Sequence, residues 1–334
     1  MVMKNVYAHA EHPFAQYVRI VGKGKTGSRS LGFEEARTAM GMILRGEVLD
    51  VQLGAFLMLL RVKEETPEEL AGFVAASRDF IQAPAIKADL DWSSYAGKRK
   101  HYPWFLFAVK ILASHGIRVF MHGASGHTLN RLYTENVLPS LGMPVCDSWD
   151  SVQAALDSTG FAYLSLDNLC APLGEMISLR NVMGLRSPVH TLARLLNPLD
   201  APFVMQAIFH PAYRTSHQSA ASILGYRNSC VIKGEGGEIE RNPDGLCLAK
   251  RIVDGELQDE EWPMLFEARH RAEEAFQMED FLAVWRGEKI HEYGEMAVKG
   301  TLAIALRTLQ LADSQETAME KAEKWWETRG ESAI

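Results

Sequence analysis

Two stretches of the chain carry residue types that bind phosphate. The first is MHGASG (121–126), which follows the apolar strand-like run IRVF (117–120) and precedes a stretch with a helical pattern. Glycine and small polar residues between a strand and a helix bring backbone N–H groups up to a phosphate in many proteins. His122 and Gly123 are therefore candidate anion-binding residues.

The second stretch is SSYAGKRKHYPWF (93–105), where three consecutive cations are followed by aromatic side chains. Its candidate phosphate-binding residues are the cations and the glycine before them: Gly97, Lys98, Arg99 and Lys100. Two interpretations are open. The run is either a solvated charged segment whose aromatic residues turn into the core, or an anion site for nucleotide or nucleic-acid phosphates. In the second case Tyr102 and Trp104 offer rings for base stacking.

A third stretch, GKGKT (22–26), resembles a nucleotide-binding loop only superficially. A P-loop requires glycine five positions before its Gly-Lys-Thr, and that position holds Arg19. Residues 1–30 are therefore predicted to form a basic arm. The four cysteines are scattered, with no zinc-ligand spacing, which favours reduced, buried thiols in the cytoplasm.

Composition narrows the classes of protein that fit. The chain has 334 residues, of which 47% are hydrophobic and 23% charged, as in ordinary globular proteins. No apolar run reaches the roughly 18 residues of a membrane span, so no membrane partner is expected. The net charge of −7 argues against a protein that coats nucleic acid over its whole surface, but it is compatible with a local basic patch.

The elements that must position these stretches change in type along the chain. Residues 31–84 have helical periodicity, with Thr66, Pro67 and Glu69 forming a helix start and capping box. From 85 to 334 helical and strand-like runs alternate, which predicts an α/β sheet covered by helices. The predicted helices include HTLNRLYTENVLPSLG (127–142) and a pair of stretches near 171–196.

Three longer segments resemble the family of anthranilate phosphoribosyltransferases and pyrimidine nucleoside phosphorylases (glycosyltransferase family 3). RGEVLDVQLGAFLMLLRVKEETPEELAGF (45–73) looks like that family's N-terminal helices, and MGLRSPVHTLARLLNP (183–198) looks like its Leu-Gly-Ile-Arg-Thr segment. AVKGTLAIALRTLQLADSQETAMEKA (297–322) is similar to its closing helices. The likeness extends from about 31 to 328 and indicates a divergent branch of the family.

The resemblance implies an architecture and an assembly. A small all-helical domain, completed by the helical pair near 171–196, would lie beside a larger α/β domain with a central mixed sheet flanked by helices. The cleft between them binds phosphoribosyl pyrophosphate and an acceptor in that family, and the family pairs through its helical layer. A homodimer is therefore expected, with the broadly apolar helix DVQLGAFLMLLRVK (50–63) at its interface.

The resemblance also assigns roles to single residues. The family's Lys-His-Gly-Asn loop matches at His122 and Gly123, with Met121 in place of its lysine and Ala124 in place of its asparagine. Its glycine-rich pyrophosphate loop falls near 93–105, where Gly97 is the glycine that is left. Arg180 stands at the position of the arginine that contacts the acceptor.

The family's magnesium segment aligns with EGGEIE (235–240). Glu235 and Glu238 would replace two aspartates as Mg²⁺ ligands, but Ile239 occupies the position of the terminal glutamate. In an extended segment, Glu240 would point to the opposite face.

Two functions are compatible with these residues. The first is a glycosyltransferase-family protein with a degenerate phosphoribosyl pyrophosphate site, inefficient with anthranilate, that uses a phosphorylated sugar and an unidentified acceptor. The alternative is a non-catalytic protein that binds single-stranded nucleic acid or nucleotides through loop 97–104.

Overall fold

The computed structural model describes residues 10–24, 26–273 and 275–330. Its strands are β1 (Leu90–Ser94), β2 (Val119–Gly123), β3 (Val145–Cys146), β4 (Phe161–Ser165), β5 (Phe203–Ile208), β6 (Asn228–Lys233), β7 (Cys247–Val253) and β8 (Glu256–Trp262). They form one sheet in the order β3-β4-β2-β1-β5-β6-β7-β8. Neighbours from β3 to β6 are parallel, whereas β7 and β8 are antiparallel. The predicted mixed sheet is therefore confirmed.

The helices before the sheet form a separate layer: α1 (Ala15–Gly22), α2 (Phe33–Leu44), α3 (Asp50–Lys63) and α4 (Pro67–Ile81). The helices that follow strands are α5 (Phe105–Ser114), α6 (Thr134–Val137), α7 (Trp149–Thr159), α8 (Leu166–Leu169), α9 (Ala171–Ser178), α10 (Arg180–Met183), α11 (Val189–Leu192), α12 (Tyr213–Ile223), α13 (Met278–Arg286), α14 (Glu292–Thr308) and α15 (Gln315–Glu327). Short 3₁₀ turns lie at Leu138–Leu141 and Ala193–Leu195. Among the described residues, no helix is long and apolar enough to cross a membrane.

The helix start predicted at Thr66 is confirmed. Thr66 Oγ1 accepts a hydrogen bond from the N–H of Glu69 at 3.3 Å, and the Glu69 carboxylate accepts the N–H of Thr66 at 2.9 Å. The same carboxylate accepts the N–H of Leu31 at 2.8 Å and thereby fixes the chain that leads into α2. This capping box satisfies backbone donors that a helix end otherwise leaves free.

Part of the predicted basic arm is instead a helix in the core. Phe14 and Tyr17 are buried, and the rings of Phe14 and Phe56 lie 5.2 Å apart edge to face. The aromatic and aliphatic residues of α1 thus pack on α3, and the arm prediction is wrong for Ala15–Gly22. Of the basic residues after it, Lys23 is exposed and Lys25 lies outside the described residues.

Two hydrophobic clusters lie on opposite faces of the sheet. Phe120 of β2 faces the helical layer, while its neighbours Val119 and Met121 face α5, α14 and α15. This alternation follows from the two-residue period of a strand. Because helices cover both faces, the central strands β1 and β2 are buried throughout, and the loops at the carboxyl ends of the parallel strands meet the helical layer.

Candidate functional site

The loop after β1 holds a carboxylate of the same chain where an anion site was predicted. The N–H groups of Ala96 and Gly97 both donate to Oε1 of Glu238 at 2.6 Å, and Ser94 Oγ donates to its Oε2 at 2.8 Å. Gly97 has φ +67°, a conformation that glycine adopts without strain and that aims both N–H groups at one oxygen. Glu238 is fully buried, so these donors are occupied from inside the protein.

Two further glutamates hold the rest of this loop. Glu235 Oε1 accepts the N–H groups of Arg99 at 3.0 Å and Lys100 at 2.6 Å. Glu240 Oε2 accepts the N–H of Phe105 at 3.0 Å. We call Glu235, Glu238 and Glu240, with the loop that they hold, the glutamate clamp.

Lys98 closes the clamp instead of facing a ligand. Its side chain is 1% exposed, its Nζ lies 3.0 Å from Glu235 Oε2, and it also donates to Glu240. Burial alone would lower the pKa of Lys98, but the two carboxylates outweigh it and raise that pKa. Lys98 is therefore a buried ammonium inside an acidic cage, and its predicted contact with external phosphate does not fit this position.

The magnesium ligands suggested by the family resemblance do not fit a metal. The carboxylates of Glu235 and Glu238 already accept hydrogen bonds from backbone N–H groups, and an ion would have to displace those donors to use the same oxygens. Within the described residues, no group of three or more His, Cys, Asp or Glu side chains could hold an ion.

The predicted stacking rings are also in the core. Trp104 is fully buried, and its ring packs on Phe281 at 5.2 Å between centroids. Tyr102 stacks on the same Phe281 at 5.5 Å, and its hydroxyl accepts the N–H of Gln277. Both rings are enclosed by their neighbours and cannot stack on a base, so the stacking assignment is wrong for both residues. Arg99 and Lys100, in contrast, are exposed.

His122 and Gly123 lie beneath the cleft. His122 is fully buried; its Nδ1 is 2.6 Å from the hydroxyl of Tyr95, and its Nε2 is 3.3 Å from Asp91 Oδ1. A Cβ at Gly123 would come 2.0 Å from the carbonyl oxygen of Ser94, so glycine is required for close packing of the strand ends. These contacts do not fit a phosphate-binding role for either residue.

Four arginines converge beside the clamp, and of these only Arg180 was given a role by the family resemblance. They are Arg131, Arg180, Arg186 and Arg194. Three of them donate to neutral oxygens: Arg131 to the Ala96 carbonyl at 3.0 Å, Arg180 to Thr128 Oγ1 at 2.6 Å, and Arg194 to the Ala207 carbonyl at 3.2 Å. In the part of the chain that the structure describes, none of the four forms an ion pair with a carboxylate. We call these residues the arginine cluster.

The mutual repulsion within the arginine cluster is visible in the local pKa values. Burial, together with Arg131, Arg180 and Arg194, lowers the pKa of Arg186 to about 10. The neighbouring imidazoles respond in the same direction: burial and the arginines lower the pKa of His127 to about 4, and burial, His127 and the arginines lower that of His190 to about 3. Both histidines are therefore neutral at pH 7. The arginine cluster concentrates positive charge, which an oxyanion would neutralise.

Comparison with known proteins places the chain in a family. Residues 16–81 match the helical bundle domain of a glycosyl transferase family. Over 249 residues the chain is 29% identical to an uncharacterized protein, YbiB, of Escherichia coli (strain K12), covering 73% of this chain and 77% of that protein. It is 31% identical over 228 residues to the anthranilate phosphoribosyltransferase of Desulfitobacterium hafniense (strain Y51), covering 66% of each.

Solved structures agree on the fold. The anthranilate phosphoribosyltransferase of Thermus thermophilus superposes with a TM-score of 0.78 at 20% identity, over 95% of this chain and 94% of that one. The enzyme from Saccharomyces cerevisiae, in complex with phosphoribosyl pyrophosphate and Mg, superposes with a TM-score of 0.76 at 14% identity, over 96% and 94%.

Fold and comparisons together define the helical-bundle-plus-α/β fold of a glycosyl transferase family. The chain belongs to the anthranilate phosphoribosyltransferase family. It lies in a divergent branch of that family, and its similarity to the uncharacterized protein from Escherichia coli is consistent with that placement.

Proposed function

We propose that this protein binds single-stranded nucleic acid through the arginine cluster and does not transfer phosphoribosyl groups efficiently. The observation that carries the proposal is the convergence of four arginines, none of which forms an ion pair within the described residues, next to a phosphate loop whose own donors are occupied. Positive charge offered by side chains suits a ligand with phosphates spread along its length. A single pyrophosphate would instead need the loop's backbone N–H groups.

Apolar side chains between the arginines add a second argument. Leu129 is 87% exposed and Val182 83% exposed, and both lie within two residues of an arginine in the cluster. Leu185, which precedes Arg186, is also exposed. A surface that alternates guanidinium groups with apolar side chains matches the phosphates and base faces of a single strand. In a duplex the base faces are stacked and out of reach.

The exposed cations of the clamp loop extend the same surface. Arg99 and Lys100 leave the clamp with their backbone N–H groups held by Glu235 and their side chains in solvent. The carbonyl oxygens of Ala96 and Gly97, from the same loop, accept hydrogen bonds from Arg131. Loop and arginine cluster are thus one continuous structure. The four buried, free cysteines are in keeping with the reducing cytoplasm where such a ligand occurs.

Strand binding is testable by fluorescence anisotropy with a labelled single-stranded oligonucleotide over a salt series. Arg131→Gln/Arg180→Gln/Arg186→Gln should weaken binding strongly. Because each neutralised phosphate on a single strand contributes roughly −0.7 to the slope of log affinity against log salt, loss of three contacts should flatten that slope by about 2. Arg99→Ala/Lys100→Ala should have a smaller effect, since these side chains are fully solvated.

The matched control replaces three exposed cations elsewhere: Lys87→Gln/Arg227→Gln/Lys324→Gln. Lys87 and Arg227 precede β1 and β6, at the end of the sheet opposite the cleft. This variant removes the same charge and should bind as wild type does. Equal affinity and salt slope in the two triple variants would refute strand binding by the arginine cluster. Turnover of a phosphorylated sugar with some acceptor, found in the same preparations, would favour the transferase alternative.

We further propose a homodimer through the helical layer. Val51 and Val62 on α3 are 71% and 82% exposed, and Leu49 at its N-cap is also exposed. An apolar helix face in solvent favours association. Light scattering at micromolar concentration should give about twice the 37.3 kDa chain mass. Val51→Glu/Val62→Glu should shift it to one chain mass, whereas a monomeric wild type would disprove the dimer.

Phe56 and Leu60, on the same helix, are not suitable probes of the dimer. Both are fully buried inside the helical layer, so a charge at either position would unfold it rather than separate two chains.

A further inference from the structure

The loop between β2 and α6 presents an apolar side chain to solvent. Leu129 in this loop is 87% exposed, the largest exposed fraction of any large apolar side chain in the described part of the chain. Asn130, the next residue, has φ +57°, so the backbone turns through the left-handed region directly after Leu129. Asparagine adopts that conformation more readily than most residues do. Leu129 therefore lies at the turn of the loop, with its side chain in solvent.

The residues before Leu129 are held by hydrogen bonds. The N–H of Thr128 donates to the hydroxyl of Tyr133 at 2.9 Å, and that hydroxyl donates to the Thr128 carbonyl oxygen at 3.3 Å. Arg180 Nη1 donates to Thr128 Oγ1 at 2.6 Å and also to the carbonyl oxygen of His127. The backbone and the side chain of Thr128 are thus both fixed, one by a tyrosine of the same segment and the other by the first residue of α10.

The residues after Leu129 are fixed to the clamp loop. Leu132 exchanges two backbone hydrogen bonds of 2.8 Å with Lys98, which is itself held inside the glutamate clamp. The guanidinium of Arg131 donates to the Ala96 carbonyl oxygen at 3.0 Å. Because the chain is held on both sides of the turn, the position of Leu129 is set before any ligand binds, and little order has to be gained on binding.

The surroundings of Leu129 combine apolar and cationic side chains. Val182 is 83% exposed and Leu185 is 53% exposed, and both follow Arg180 in the chain. Arg131, two residues after Leu129, belongs to the arginine cluster. A single exposed apolar side chain is common on protein surfaces and needs no explanation. A fixed one among guanidinium groups and further exposed apolar side chains indicates a ligand that carries both phosphates and apolar faces.

We propose that Leu129 inserts between two neighbouring bases of a bound single strand and separates their stacked faces. This inference rests on the proposed strand binding and adds how the bases are contacted. The guanidinium groups of the arginine cluster hold the phosphates beside the inserted leucine. Leucine is one of the apolar side chains that proteins insert between bases to part them. The hydrogen bonds on both sides of the turn keep the leucine in place against the resistance of the stack.

Insertion determines which strands bind best. Parting two bases costs their stacking, and this cost is smaller for pyrimidines than for adenines. The inferred ligand is therefore a pyrimidine-rich, weakly stacked single strand. Phosphate contacts alone give no such preference, because every sequence has the same backbone. A preference that depends on Leu129 would thus distinguish insertion from charge attraction.

The experiment measures affinity and base stacking on the full chain. Fluorescence anisotropy compares labelled oligonucleotides of equal length made of thymidine, uridine or deoxyadenosine. We expect both pyrimidine strands to bind severalfold more tightly than the adenine strand, and the tighter of the two identifies DNA or RNA as the source. A strand that alternates thymine with 2-aminopurine reports on every step, since stacking quenches 2-aminopurine fluorescence. Its fluorescence should rise when wild type binds.

Variants at two leucines test the role of Leu129. Leu129→Ala should keep the salt slope of wild type, because the phosphate contacts are intact, but lose most of the pyrimidine preference and of the fluorescence rise. Leu129→Phe should restore both, since a ring can also enter between bases. Leu257→Ala is the matched control and should behave as wild type does. Leu257 is 55% exposed and lies beside the β7–β8 turn, which contacts Arg227 at the opposite end of the sheet.

Failure of this inference is distinguishable from failure of strand binding. If no oligonucleotide binds to wild type, the strand-binding proposal is refuted, and the insertion of Leu129 with it. If wild type binds the strands but Leu129→Ala keeps the pyrimidine preference and the fluorescence rise, the phosphate contacts stand and insertion alone is refuted. Equal affinity of wild type for pyrimidine and adenine strands would also overturn insertion.

Discussion

Lys98→Ala is expected to destabilise the protein by about 3–5 kcal/mol, the usual cost of removing one partner from a buried ion pair. Lys98 is the cation that Glu235 and Glu240 share inside the glutamate clamp, and it is almost inaccessible to solvent. Without it, two carboxylates face each other in a buried site. Urea denaturation followed by far-ultraviolet circular dichroism measures the change.

Arg99→Ala is the matched control, since it removes the adjacent cation of the same loop from an exposed position. It should alter the free energy of unfolding by no more than about 0.5 kcal/mol. Lys98→Met with Glu235→Gln and Glu240→Gln should recover much of the loss, because no uncompensated charge stays buried. An unfolding midpoint for Lys98→Ala equal to that of Arg99→Ala would show that the clamp is not a structural ion cluster.

The parts of the fold that could be predicted are those with a strong local signal. The capped helix at Thr66 and the long apolar pattern of α5 each specify one element within a few residues. The segment 127–142 was predicted as one helix, but only Thr134–Leu141 is helical. Before it, Leu132 exchanges two backbone hydrogen bonds of 2.8 Å with Lys98, which hold the chain extended. This tertiary pairing overrides the apparent helical spacing.

Strands β7 and β8 lack such a signal. The edge strand β8, ELQDEEW, is polar and mostly exposed, so neither apolar content nor alternation distinguishes it from a loop. Its place in the sheet comes from antiparallel pairing with β7, a contact that a local pattern does not encode.

The glutamate clamp could not be predicted from composition, because its contacts join residues about 140 positions apart in sequence. In the sequence, a run of cations followed by aromatic residues looks the same whether its lysine is exposed to solvent or, like Lys98, paired with a buried carboxylate. Alignment with the family correctly drew attention to Glu235 and Glu238. It could not show that their carboxylates turn toward the loop of residues 93–105. For Arg194 the sequence does contain a signal: it is the one charged residue in the apolar run TLARLLNP (191–198).

Transfer of a phosphoribosyl group to anthranilate should be slower than in an ordinary enzyme by at least several orders of magnitude. Three sets of contacts implied by the family are altered: the N–H groups of the phosphate loop hold Glu238, Met121 replaces a lysine, and the magnesium carboxylates are engaged. Each transition-state contact is typically worth roughly 2–4 kcal/mol. Even two lost contacts at the low end correspond to about a thousandfold.

Anthranilate consumption, followed by its fluorescence in the presence of phosphoribosyl pyrophosphate and Mg²⁺, measures the rate. A turnover number near the enzyme median of about 10 s⁻¹, or rescue of a strain that lacks this step, would refute the expectation.

Glu238→Ala tests the effect of the occupied phosphate loop apart from the effects of Met121 and of the engaged Glu235 carboxylate. It frees the N–H groups of Ala96 and Gly97 and the hydroxyl of Ser94, three donors that then need an anion. Pyrophosphate should raise the melting temperature of this variant more than that of wild type, because only in the variant are the donors of the loop free for an anion. Transfer should still be absent, since Met121 and the Glu235 contacts are untouched. If pyrophosphate stabilises both proteins equally, Glu238 is not what closes the loop to phosphate, and the loss of transfer must have another cause.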